Sequence, residues 1–94
     1  MADIRLSVVT PCYNSAGSIE ETLKSVENQS RQPYEHIIID GGSTDGTLDL
    51  ITAYAERTPY EVRLVSEPDD GIYDAMNKGI RLATGDLIGI INSD

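Results

Sequence analysis

Four short apolar runs, rich in β-branched residues and each followed by small polar or acidic residues, alternate along the chain with three stretches of helical period. The runs are Leu6 to Thr10, Glu35 to Asp40, Val62 to Val65 and Leu87 to Ile91. Near-continuous apolar runs of this kind are what strands buried on both faces require. Between them, Ile19, Leu23 and Val26, then Leu48, Ile51 and Tyr54, then Ile72, Met76, Ile80 and Ala83 recur at helical spacing and are read as inner faces. Strand and helix three times, then a strand, gives the α/β class. The expected architecture is a mostly parallel four-stranded sheet in the order 3-2-1-4, with right-handed crossovers and helices on both faces.

Local signals mark the ends of these elements. Ser18 with Glu21 fits a capping box for the first helix, and Asp45 or Thr47 would cap the second. Asp69-Asp70-Gly71 opens the third, and Gly85 stands where a C-cap glycine belongs. The polar clusters at residues 11 to 15, 40 to 45, 67 to 70 and 92 to 94 all follow strands. They therefore gather at one sheet edge, where open α/β sheets hold their ligands.

Ninety-four residues are enough for a single small core, so residues 1–94 are expected to form one folded unit and not two. Sixteen acidic residues against seven basic ones leave a net charge of -9, which argues against binding nucleic acid or anionic lipid through a broad basic face. Nucleotides stay open, because backbone N–H groups, helix N-termini and a divalent cation can hold a diphosphate. Cys12 is the single cysteine, so neither an intramolecular disulfide nor a zinc site is expected. The chain enters its first strand without signal-peptide features and holds no apolar run of membrane-spanning length, so a cytoplasmic location is expected. His36, without a nucleophile or metal partner nearby in sequence, is read as structural.

Several clusters admit both a chemical and a structural reading. Gly41 to Gly46 lacks the spacing of a dinucleotide loop and the Lys-Ser/Thr ending of a P-loop, so it is no ATPase loop; a tight strand-to-helix connection also accounts for it. Tyr13 can stack on a planar base or serve as a half-buried loop aromatic. Asp40 can accept from a ring N–H or a ribose hydroxyl, or hold structure instead. Asp70, Asp74 and Asn77 fall at i, i+4 and i+7 and can face one groove, while Asp74 with Lys78 and Asn77 with Arg81 also suit surface pairs. Asn92, Ser93 and Asp94 at the end of the last strand suit a nucleotide and metal site, or a polar strand end.

Four pieces taken together carry a resemblance: Ser7 to Asn14, Ile39 to Thr47, Asp70 to Gly79, and Ala83 to Asp86 continuing through Asn92-Ser93-Asp94. In them the chain resembles the N-terminal, nucleotide-binding, Rossmann-like half of the inverting family-two glycosyltransferases of the GT-A fold. That resemblance implies transfer of a sugar from a nucleotide-diphospho-sugar, most often a UDP-sugar, to a hydroxyl of a glycan, lipid or protein acceptor. It implies that Pro11 and Tyr13 line the base pocket, that Asp40 helps hold the nucleoside, and that Asp70 with Asn77 face the donor. Asn14, Ser43 and Asn92 join the implied donor-binding set. Asp94 would meet ribose and a manganese or magnesium ion, whose Lewis acidity helps the diphosphate leave.

The chain departs from the family pattern at Gly41, where many relatives carry a second Asp used on the base, and at Asn92, where Asp is common. The general base and most of the acceptor site of such enzymes come from their C-terminal half, so no catalytic base is assigned. The expectation is an incomplete transferase domain, cut at the Asp-x-Asp region, that binds nucleotide and does not turn over donor alone. A rival expectation is a non-catalytic module forming homo-oligomers through an exposed fourth-strand edge. A sugar nucleotidyltransferase is disfavoured, since Asn14 to Ser18 holds neither Arg nor Lys to grip a triphosphate.

Overall fold

The computed structural model describes residues 4–93. The elements run β1 (Leu6–Cys12), α1 (Ile19–Glu27), β2 (Glu35–Asp40), α2 (Thr47–Arg57), β3 (Glu61–Ser66), α3 (Ile72–Leu82) and β4 (Leu87–Ile90). All pairings are parallel and the sheet order is β3-β2-β1-β4, as the alternation of elements predicts. Helices cover both faces. On one, Cys12 and Ile38 pack with Ile19 and Leu23 of α1 and Ile51 and Tyr54 of α2. On the other, Val9, Ile37 and Ile39 pack against Ala75 of α3. None of the described helices is long and apolar enough to cross a membrane.

The inner face of α3 differs from the sequence expectation. Ala75 and Gly79 are its buried residues, whereas Ile72 and Ile80 are 41% and 40% exposed. The helix lies so close to the sheet that a Cβ at Gly79 would sit 2.3 Å from Cγ1 of the buried Val9. Small residues at the contact let the helix backbone close onto the Val9 side chain, which turns Ala75 and Gly79 to the sheet and leaves Ile72 and Ile80 at the helix flanks.

Three end signals also resolve differently. Ser18 is the N-cap of α1, but its φ of -130° and ψ of -19° are not the extended cap conformation and its hydroxyl makes no cap bond. The Ser18 and Ile19 N–H groups donate to the Ser15 carbonyl instead, at 2.9 and 2.7 Å. Ahead of α2, whose N-cap is Gly46, Asp45 accepts from the Thr47 N–H at 3.0 Å. The C-cap of α3 is Ala83, not Gly85. Gly85 serves a close crossing, its N–H donating to Ser7 Oγ at 2.9 Å.

Edge position decides how much of each strand is buried. Every residue of β2 is buried, while Leu87, Ile88 and Ile90 of β4 are 56%, 43% and 42% exposed. Strand β4 pairs on one side only, with β1, and α3 packs over β1 and β2. At the start of β2, the fully buried Glu35 accepts from Ser7 Oγ at 2.6 Å and from the N–H and Oγ1 of Thr84 at 2.7 and 3.0 Å. Its other oxygen lies 3.7 Å from Arg63 Nη1. One carboxylate thus joins β1, β2, β3 and the α3–β4 connection. His36 is structural, as expected: its ring bonds Thr10 Oγ1 at 2.8 Å and the Tyr54 hydroxyl at 2.7 Å, and Tyr54 continues to Tyr60 at 2.6 Å. Burial pulls the His36 pKa down to about 4.

Candidate functional site

The chain winds outward from β1 to β2 to β3 and then returns to β4 on the other side of β1. That reversal opens a crevice at the carboxyl ends of β1 and β4, the place where open parallel sheets bind ligands. A cavity of about 440 Å³ occupies it. Pro11, Cys12 and Tyr13 from the end of β1 form one wall, Gly41 and Asp69 a second, Gly71, Ile72 and Ala75 a third, and Asn92 with Ser93 the last.

Asp40 organises this end of the sheet without lining the cavity. It is fully buried, and Oδ2 accepts from the N–H groups of Gly42 and Ser43 at 3.0 and 2.8 Å and from Ser66 Oγ at 2.9 Å. Oδ1 accepts from Ser43 Oγ at 2.5 Å and from Cys12 Sγ at 3.4 Å. Burial alone would raise the Asp40 pKa, but these donors, led by Ser43, hold it below the usual carboxylate range. The same environment pushes the Cys12 thiol up, through burial first and the Asp40 charge second. Cys12 is therefore a protonated wall residue and no nucleophile.

Asn14 and Ser43 fasten two loops together. Asn14, at φ 46°, donates its N–H to Ser43 Oγ at 2.7 Å and accepts at Oδ1 from the Thr44 N–H at 2.8 Å. The Ser15 N–H donates to Thr47 Oγ1 at 2.8 Å, and Ser15 Oγ shares a hydrogen bond with Ser93 Oγ at 3.1 Å. Ser93 is buried and also donates to the Pro11 carbonyl at 3.3 Å, locking the chain after β4 onto the end of β1.

Of the residues singled out in the sequence, the fold brings Pro11, Tyr13 and Asn92 to the cavity. Tyr13 stays 61% exposed at the cavity edge. Asp40, Asn14 and Ser43 support the walls from behind. Asp70 and Asn77 are exposed and are not among the lining residues; the Asp70 N–H donates to Asp74 Oδ2 at 3.0 Å, and Asp74 pairs with Lys78 at 3.7 Å. Asp94 lies outside the described residues. Among the described residues, no group of three or more His, Cys, Asp or Glu side chains is placed to hold a metal ion. Asp69 and Ser93 also line the cavity, within the strand-end clusters at 67 to 70 and 92 to 94 that the sequence places at this edge; neither stands out singly, because an acidic residue before a helix also reads as a dipole partner and a serine at a strand end carries no signal of its own.

The family model described as Glycosyl transferase family 2 matches residues 7–94. A PGL/p-HBAD biosynthesis glycosyltransferase of Mycobacterium bovis (strain BCG / Pasteur 1173P2) is 35% identical over 94 residues, 100% of this chain and 37% of that protein. Among solved structures, the mannosyltransferase PcManGT from Pyrobaculum calidifontis in complex with GDP-Man and Mn2+ superposes with a TM-score of 0.87 at 35% identity, covering 99% of this chain and 28% of that one. S. aureus TarS 1-349 in complex with UDP-GlcNAc gives a TM-score of 0.82 at 29% identity, covering 97% of this chain and 27% of that one. The chain spans about a third of the length of the curated relatives it matches.

Proposed function

This chain belongs to glycosyl transferase family 2, and from that membership we propose that its cavity holds the nucleoside of a nucleotide-diphospho-sugar donor, a UDP-sugar in the first instance. The observation that carries the reading is the cavity itself, at the strand-order reversal, with the exposed Tyr13 at its edge. Tyr13 stacks on the base, Pro11 packs beside it, and the Asn92 amide offers a donor and an acceptor to the ribose. Asp40 acts one layer back by holding the backbone of Gly42 and Ser43 in place.

A manganese or magnesium ion, when bound, neutralises the leaving diphosphate. The described residues offer it no ligand set; the family resemblance implies Asp94 as its protein ligand, and no step of the reaction is derived through it. Sugar transfer to an acceptor hydroxyl with inversion is the overall reaction this reading assigns to the family domain. The part proposed for these 94 residues is donor binding, with the acceptor site and the general base elsewhere.

Calorimetric titration with UDP and Mn2+ tests the reading. Saturable binding is expected, and Tyr13→Ala should weaken it about tenfold through loss of base stacking. A folded sample with no binding at millimolar nucleotide overturns it.

The exposure of Leu87, Ile88 and Ile90 supports a second reading, in which β4 pairs edge to edge with a second copy of the chain. Ile88 and Ile90 lie opposite Ser7 and Val9, and so stand on the α3 side of the sheet. The expected result is a light-scattering mass that rises with concentration, and that returns to the monomer value in Ile88→Lys. A constant monomer mass for the unmodified chain discards it.

A further inference from the structure

We propose that Asp69 is the residue that reads the nucleobase, and that its free carboxylate oxygen selects uracil over cytosine. The inference rests on the nucleotide reading of the cavity. A Cβ placed on Gly41 would lie 3.2 and 3.4 Å from the two Asp69 oxygens and 3.3 Å from Cδ1 of Tyr13. The Asp69 carboxylate therefore fills the space that a side chain at position 41 would enter, next to the ring proposed to stack on the base. Both groups line the same cavity. Asp40, the neighbouring carboxylate, cannot serve, because it is fully buried and its oxygens are occupied by Gly42, Ser43, Ser66 and Cys12.

The two oxygens of Asp69 are not equivalent. Oδ1 accepts from the Gly71 N–H at 3.0 Å, which fixes the plane of the carboxylate. Oδ2, the oxygen nearer Gly41, has no hydrogen-bond partner among the described residues. One free acceptor beside the stacking ring suits a base that offers one N–H there. Uracil does so at N3, between two carbonyls. Cytosine presents an unprotonated N3 in the same place, so acceptor would meet acceptor. Guanine offers two adjacent donors and would need both oxygens, one of which is already held by Gly71. Sites built around a hydrogen bond reject analogues that lack it more strongly than apolar pockets reject a change of size.

Affinities of UDP, CDP and GDP for the chain and for Asp69→Asn, measured with Mn2+ by calorimetry, test the proposal. The unmodified chain should bind UDP at least tenfold more tightly than CDP, and more tightly than GDP. In Asp69→Asn the amide oxygen keeps the Gly71 N–H and the amide NH2 turns to the base, where it suits cytosine N3. UDP should then weaken tenfold or more while CDP strengthens, so the order inverts. Gly41→Ala, which crowds the carboxylate without removing charge, should narrow the UDP/CDP ratio and serves as the second variant should Asp69→Asn fail to fold. Equal binding of UDP and CDP, or a uniform loss of both in either variant, overturns the role of Asp69 while leaving the nucleotide site standing. Tighter binding of GDP than UDP overturns it as well. Absence of binding by all three removes the nucleotide reading itself.

Discussion

Asp40→Ala is expected to lower the unfolding free energy by about 4 kcal/mol and to abolish nucleotide binding even where the chain is still folded. The substitution leaves the N–H groups of Gly42 and Ser43 and the hydroxyls of Ser43 and Ser66 without their shared acceptor. Hydrogen bonds to a charged group are worth about 1.5–3 kcal/mol each and do not add in full, which sets the figure. Against a total of roughly 5–14 kcal/mol for a chain of this size, the loss is a large share. Gly41 is the residue between Asp40 and the bonds that fix the loop, so the cavity wall is lost with them. Asp40→Asn, which keeps the volume and one acceptor, should cost about half as much. Urea unfolding followed by circular dichroism gives both values, and a loss below about 1 kcal/mol for the alanine variant would show that Asp40 does not organise the loop.

Glu35→Ala should cost about 3 kcal/mol and leave nucleotide affinity within twofold of its original value. Removing one member of a buried ion pair costs about 3–5 kcal/mol, and the low end applies because Arg63 keeps 36% of its side chain in water. Affinity is spared because Glu35 lies at the opposite end of β2 from the cavity. The two substitutions therefore separate stability from binding. Burial alone would raise the Glu35 pKa, but the donors Ser7 and Thr84, with Arg63, leave it lowered. A folded-state pKa below the unfolded one gives stabilisation that is complete above the unfolded value of about 4.5 and disappears as pH falls through the folded value. His36 acts earlier on the acid side. Its ring is neutral in the folded chain down to about pH 4, while the unfolded ring takes up a proton below about 6.5, so stability already declines between those values. In Glu35→Gln the decline from pH 6.5 to 4 should persist and the steeper loss below it should be reduced.

The strand order and the helix count were legible because the alternation of buried runs with helical periods leaves few ways to connect a parallel sheet. The packing of α3 was not. Ile72, Met76 and Ile80 made a convincing apolar stripe, yet the helix turned its small residues inward, and only the presence of Gly79 inside the helix pointed that way. At the site, Tyr13 and Asn92 stand out by their position at strand ends, and Pro11 through the family resemblance. Asp40 was found too, but what surrounds it could not be read from a strand-end carboxylate. The sequence Asp40-Gly41-Gly42-Ser43 can fold back on its own acid, and in the folded chain it does, which takes the carboxylate away from the cavity. Asp69 belongs to the strand-end cluster at residues 67 to 70 that the sequence places at this edge, but an acid ahead of a helix also suits the helix dipole, and local pattern does not encode that its carboxylate reaches the cavity wall beside Gly41.

Strand β2 carries a carboxylate at each end, Glu35 turned to the α3 side and Asp40 to the side of α1 and α2. The apolar centre between them, Ile37 to Ile39, would by itself accept a neighbour at more than one offset. A slip of one residue would turn the strand over, carrying each charge away from its donors and into the opposite apolar layer. The two acids thus act as stops on a sliding rule: they make the misaligned sheet costly from both ends, and they protect a short, isoleucine-rich strand from wrong pairings while the chain is still searching for its partners.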